Sequence, residues 1–288
     1  MHLSGAVDAV PGPGREGAGE RVLAGERSAD ARARWAGPLR RLAILAALAA
    51  AWEGYARRLA SPLVFPTASA IAAALGREIL HGELLARALS SLEILLAGYA
   101  IGAALATTLA VFAAGSRLGS DLLTLLTAMM NPLPAIALLP VALLWFGIGT
   151  PSLLFVLVHA VLWPMALAAH AGFSSVSPTL RMVGRGYGLS GAPLAFGILL
   201  PAAFPQILSG LRVGWAFAWR TLIAAELVFG VSSGSGGLGW FIYEKKNQLE
   251  MAEVFAGLLA VVIIGLTVEH GIFAPIEART VRRWGMRS

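Results

Sequence analysis

Apolar residues run through this chain in long uninterrupted blocks rather than in the short stripes of a water-soluble helix. A bilayer core about 30 Å thick takes roughly 20 mainly apolar residues per helix. Six blocks of about that size stand between charged or turn-forming positions: Leu39 to Tyr55, Leu89 to Ala114, Leu122 to Phe146, Leu153 to Phe173, Phe204 to Phe229 and Val254 to Phe273. The first is weak at its outer end, where Glu53 enters. The third is interrupted by Asn131, Pro132, Pro134 and Pro140. Prolines at membrane depth are tolerated where a neighbouring helix or a cavity satisfies the carbonyls they free, so this span is expected to line something. The pattern predicts an all-α polytopic membrane protein with about six transmembrane helices.

Two shorter amphipathic stretches lie between spans. Thr67 caps a segment from Ala68 to Leu80 in which Ile71, Ala74 and Leu75 recur at helical spacing. It is too short to cross, and a helix lying on the outer face is expected. The stretch Ser174 to Gly197 holds a second, with Ser177 as cap and Pro178 in the first turn. Leu180, Val183 and Tyr187 fall on one face there, and Arg181 and Arg185 form a basic ridge beside it. Gly184 and Gly188 weaken the helix yet allow another backbone to approach. By pattern alone this helix is either a lid on the membrane surface or a docking knob for another protein.

Composition supports the membrane reading: 57% of residues are apolar and only 13% charged, against about 25% charged in an average soluble domain. Residues 1 to 38 have no apolar period and read as a disordered cytoplasmic tail, which leaves 39 to 288 as the transmembrane domain. The first apolar run starts only at Leu42, so no signal peptide is expected. With both termini in the cytoplasm, fourteen of the 22 basic residues fall in inner segments and six in outer ones, and Arg212 and Arg220 lie within the fifth span. That asymmetry is the positive-inside bias. It assigns the net charge of +6 to orientation and anionic lipid rather than to nucleic acid.

Chemistry is scarce. Cysteine is absent, which removes thiolate metal sites and thiol nucleophiles. Gly234 to Gly239 fits G-x-G-x-x-G and Gly230 to Gly234 fits G-x-S-x-G, but neither has the strand context its chemistry needs, and a flexible turn is expected. The two lysines, Lys245 and Lys246, are neither preceded by Gly nor followed by Ser or Thr, so the chain has no Walker A loop. No enzyme activity, metal or cofactor is expected. Ionisable residues inside spans are costly and mark functional candidates: Glu93, His159, His170, Arg212, Arg220, Glu226, Glu269 and His270. Arg220 either receives an oxyanion, paired bidentately, or forms an ion pair with Glu93 or Glu226; Asn131 is a second pathway candidate. The spacings Gly98 to Gly102 and Gly210 to Gly214 predict close helix packing, within or between subunits.

The run from Gly188 through nine residues to Ile198-x-Leu200-Pro201 resembles the G-x9-I-x-L-P half of the loop in permease subunits of ATP-binding-cassette importers. Leu63-Val64-Phe65-Pro66, Asn131-Pro132-Leu133-Pro134, Leu144 to Gly149, Ala225-Glu226 and Gly237-Leu238-Gly239-Trp240 are similar to the habits of the nitrate, sulfonate and taurine branch. Where such permeases have Glu-Ala-Ala, this chain has Met182-Val183-Gly184. The resemblance implies a bacterial inner-membrane subunit that forms the pathway for a small oxyanion. Its implied partners are a cytoplasmic ATP-binding subunit, an extracytoplasmic solute-binding protein and a second copy of the permease. It also implies that Leu180, Arg181, Val183, Gly184, Arg185, Tyr187, Gly188, Ile198, Leu200 and Pro201 dock the ATPase, and that Glu93, Asn131, Arg220 and Glu226 face the pathway. The rival from another class is a proton- or ion-coupled secondary transporter, which would use the buried Glu and His residues.

Overall fold

The computed structural model describes residues 16–229 and 236–280, and the chain divides into two units, residues 1–60 and 61–288. The first unit is one helix, α1 (Glu16–Leu59). It extends through residues 16–38, where a disordered tail was expected. Ala, Arg and Glu make up most of that stretch, and their intrinsic helix propensity needs no apolar face.

In the second unit the elements are α2 (Ala68–Leu80), α3 (Leu84–Gly115), α4 (Arg117–Met130), a 3-10 turn (Ala135–Leu138), α5 (Leu139–Phe146), α6 (Thr150–Ser175), α7 (Pro178–Gly186), α8 (Gly191–Leu194), α9 (Leu200–Phe229), α10 (Leu238–Asn247), α11 (Met251–Val268) and α12 (Ala274–Arg279), with single π-type turns before α9 and α12. Four helical stretches among the described residues are long and apolar enough to cross a membrane: 84–114, 150–175, 196–228 and 251–279. They match the second, fourth, fifth and sixth predicted spans.

The other two predicted spans are built differently. In α1 the uncharged apolar core between Arg41 and Glu53 is eleven residues, about 16 Å of helix, and it is not among the helices that meet the length and composition test. The third span is not one helix: α4 and the α5 segment meet at 85°. Pro132 and Pro134 lack N–H donors, and each disfavours helical backbone at the residue before it. The chain therefore turns a corner at Asn131–Pro134.

Helix α6 is the centre of the unit, with α3 and α9 against it. A Cβ on Gly98 would lie 2.6 Å from Leu157 Cβ, and one on Gly102 2.8 Å from Val161 Cβ. On the other neighbour, a Cβ on Gly210 would lie 2.6 Å from Ala168 Cβ, and one on Gly214 3.3 Å from Val161 Cγ1. Both small-residue spacings thus seat helices on α6 within one chain, the close approach that membrane helices use in place of a hydrophobic driving force.

Candidate functional site

Both surface helices start where their caps predict. Thr67 Oγ1 accepts from the Ala70 N–H at 3.2 Å, and Ser177 Oγ accepts from the Leu180 N–H at 3.2 Å. Helix α7 ends as Gly188 takes φ +79° and the Leu189 N–H reaches the Gly184 carbonyl at 3.1 Å. This is a left-handed C-terminal cap, which favours glycine at that position.

The residues expected to dock the ATPase separate into two groups. Leu180, Val183 and Tyr187 are exposed, Tyr187 to 84%, with Arg185 and Gly188 exposed beside them; Met182, which was not expected there, is exposed as well. Most of the others turn inward. Arg181 turns back, its Nη2 donating to the Phe173 carbonyl and its Nε to the Val176 carbonyl at 3.4 Å. It thereby closes the C-terminal end of α6 instead of forming a rim with Arg185. Gly184 is buried, and a Cβ there would lie 2.6 Å from both Ile198 Cδ1 and Leu194 Cδ1. Ile198 therefore packs beneath α7, Leu200 packs against the cluster of Ala169, Phe173, Ala203 and Ile207, and Pro201 sits exposed in the first turn of α9.

At membrane depth, two arginines of α9 receive opposite treatment. Arg212 is bracketed by carboxylates, Nε to Glu269 Oε1 at 3.1 Å and Nη2 to Glu277 Oε2 at 3.0 Å. Arg220 is exposed; its Nε donates to the Ala216 carbonyl at 2.9 Å, and its guanidinium lies 5.0 Å from the Phe217 ring centre. It pairs with neither Glu93 nor Glu226 and has no carboxylate partner among the described residues. Glu93 is exposed on α3.

Glu226 is instead sealed, at 2% exposure. Ser91 Oγ donates to its carboxylate at 2.8 Å and the Gly239 N–H donates to Oε2 at 2.8 Å, while Ser91 Oγ accepts from the Leu238 N–H at 2.8 Å. Two residues thereby cap the N-terminus of α10, an arrangement a carboxylate favours at the positive end of a helix. A Cβ on Gly237 would collide with Glu226 Oε1, and one on Gly239 would lie 2.6 Å from the Ile223 carbonyl. The outer connection, expected as a flexible turn, thus contains an anchored helix whose Leu238, Phe241 and Ile242 are buried. Gly230 to Ser235, which carry the G-x-S-x-G match, lie outside the described residues. Ion pairs gather around α2 and α10: Arg77 with Glu253 at 3.0 Å, Arg87 with Glu83 at 2.7 Å, and Lys245 with Glu250 at 2.6 Å and Glu78 at 3.5 Å. Burial works against the Lys245 charge, but Glu250 and Glu78 outweigh it and hold its pKa above the ordinary lysine value.

The corner at Asn131–Pro134 borders a cavity of about 270 Å³, closed on the far side by His159, Ala160, Trp163 and Pro164 of α6 and by Phe217 and Thr221 of α9. Asn131 is thus at a cavity wall, as its place in a broken span predicts. The sequence reading missed His159 and Trp163 as a pair; their spacing of one helical turn beside Pro164 was the available signal.

Residues 98–272 match the family of binding-protein-dependent transport system inner membrane components. The chain is 35% identical over 146 residues to the taurine transport system permease protein of Escherichia coli, covering 51% of this chain and 52% of that one. It is 31% identical over 183 residues to the nitrate import permease protein of Synechocystis, covering 64% and 65%. With more than half of its length matched, an all-helical architecture and a short helix turned out from the bundle between its two longest-packed spans, the chain belongs to the inner-membrane components of binding-protein-dependent transport systems.

Proposed function

We propose that this permease forms half of a pathway for a small oxyanion and is driven by a separate cytoplasmic ATPase that grips α7. The observation that carries this reading is the uncovered apolar face of α7. Met182, Val183 and Tyr187 are 63%, 48% and 84% exposed, while the opposite side of the same helix is packed on Leu194 and Ile198. An apolar face held rigidly and left open is suited to a partner's cleft. ATP binding then moves α7, and the docked partner shifts the bundle only so far as it binds its inward and outward arrangements unequally.

The oxyanion follows from the two arginines of α9. Two carboxylates lie on Arg212 and, among the described residues, none on Arg220, which leaves the second guanidinium to meet an anion from outside. A solute-binding protein delivers the substrate from outside, a second copy completes the pathway, and both termini face the cytoplasm. Leu39, Leu42, Ile44, Leu45 and Leu48 of α1 are all more than half exposed, which supports a sixth, lipid-facing crossing.

The test is copurification of the ATPase with Val183→Asp and Tyr187→Asp. Each variant is expected to insert at wild-type level and to lose the ATPase. Full retention of the ATPase by both refutes docking at α7.

A further inference from the structure

The cavity at the Asn131–Pro134 corner carries chemistry that packing does not use. Both ring nitrogens of His159 and the indole nitrogen of Trp163 are buried without a hydrogen-bond partner. The two rings stand edge to face, 6.2 Å apart, on one turn of α6, and both line the cavity. Buried polar atoms in folded proteins are almost always paired, so three unpaired atoms on adjacent residues call for a partner from elsewhere. The indole N–H only donates, so its partner must be an acceptor. Imidazole χ2 is broad and roughly two-fold, and rotation about it turns a ring N–H toward the cavity.

The rest of the lining sets the sign of the ligand. Asn131 and Thr221 add groups that can donate as well as accept, and no carboxylate among the described residues lines the space. Arg220 lies against Phe217, which is itself part of the wall, and places a positive charge behind that ring. Pro164 has no N–H to give the Ala160 carbonyl one turn earlier in α6. A volume of about 270 Å³ admits a small solute and not a lipid chain or a peptide.

We infer that this cavity is a binding station for a compact oxyanion, held by the Trp163 indole N–H and a His159 ring N–H with Asn131 and Thr221 beside them. The inference rests on the permease reading above and deepens it: the anion pauses inside each permease half, against α6, on its way past Arg220.

The test is binding of radiolabelled methanesulfonate to the assembled transporter in lipid nanodiscs, with nitrate as competitor and choline as a cation control. The wild type is expected to bind methanesulfonate, to release it to nitrate and to ignore choline. Trp163→Phe and His159→Phe are each expected to weaken binding about tenfold or more, the effect of losing one hydrogen bond to a charged ligand. If either variant fails to give a monodisperse complex, Thr221→Val replaces it, with about a threefold weakening expected. Absence of nitrate-displaceable binding to the wild type, or undiminished binding by well-folded variants, overturns the inference. ATPase copurification is read on the same samples: its loss in the wild type sinks the permease reading, whereas methanesulfonate binding decides the cavity separately.

Discussion

Two short helices outside the spans, α7 after α6 and α10 after α9, are built from similar material and packed in opposite ways. Each follows a long span, each begins beside small or capping residues, and each carries apolar side chains on one face. In α10 those side chains, Leu238, Phe241 and Ile242, are buried, and the helix start is pinned by Glu226 and Ser91. In α7 the corresponding side chains are exposed, and a glycine, Gly184, is what meets the bundle. A glycine meets the bundle in both helices, so neither apolar content nor the glycine tells the two apart; whether the apolar side chains are buried does.

The comparison predicts that the same kind of substitution has unequal consequences at the two ends. Gly239→Val, which drives a side chain into the Ile223 carbonyl and Glu226, is expected to cost about 3 kcal/mol, read as a large drop in melting temperature in detergent. A neutral result there would mean that α10 is not locked. Gly184→Val meets only the flexible ends of Leu194 and Ile198, so a cost of about 1 kcal/mol is expected. Its main effect should be displacement of α7, measured as weaker ATPase binding at nearly unchanged melting temperature.

The smallest effect concerns Lys245. Its pKa is raised in the folded protein, so the stabilisation it gives is complete below the ordinary lysine value of 10.5 and is lost as pH climbs through the higher folded value. From about pH 10 upward to about pH 12, wild type should therefore lose more stability than Lys245→Met, by no more than about 1 kcal/mol for a pair at the protein surface. Parallel melting curves for the two proteins over that range would remove Lys245 from the account of the ion pairs around α2 and α10.

What could be read in advance follows from the range of the interactions. Caps act over three residues, so Thr67 and Ser177 located α2 and α7 correctly. The glycine spacings announced close packing, and only the structure shows that α6 receives both. The anchoring of Glu226 depends on Ser91, 135 residues away, and no local pattern carries that information. Helix α10 was legible in part: Leu238, Phe241 and Ile242 stand at i, i+3 and i+4, but the glycines before them drew attention to a turn. Arg181 was assigned to a basic ridge by its spacing from Arg185, although the carbonyls left open at the end of α6 had the stronger claim on it. The angle at Asn131–Pro134 is likewise set by what packs behind it, and the prolines indicate only that the helix stops.

Val161 sits where the two glycine notches meet, touching the positions opposite Gly102 on α3 and Gly214 on α9. One valine thus sets the spacing of three helices at once, and a bulkier or smaller side chain there would shift both neighbours together. The registers of α3 and α9 on α6 are tied to each other through one side chain, although the two glycines stand 112 residues apart in sequence.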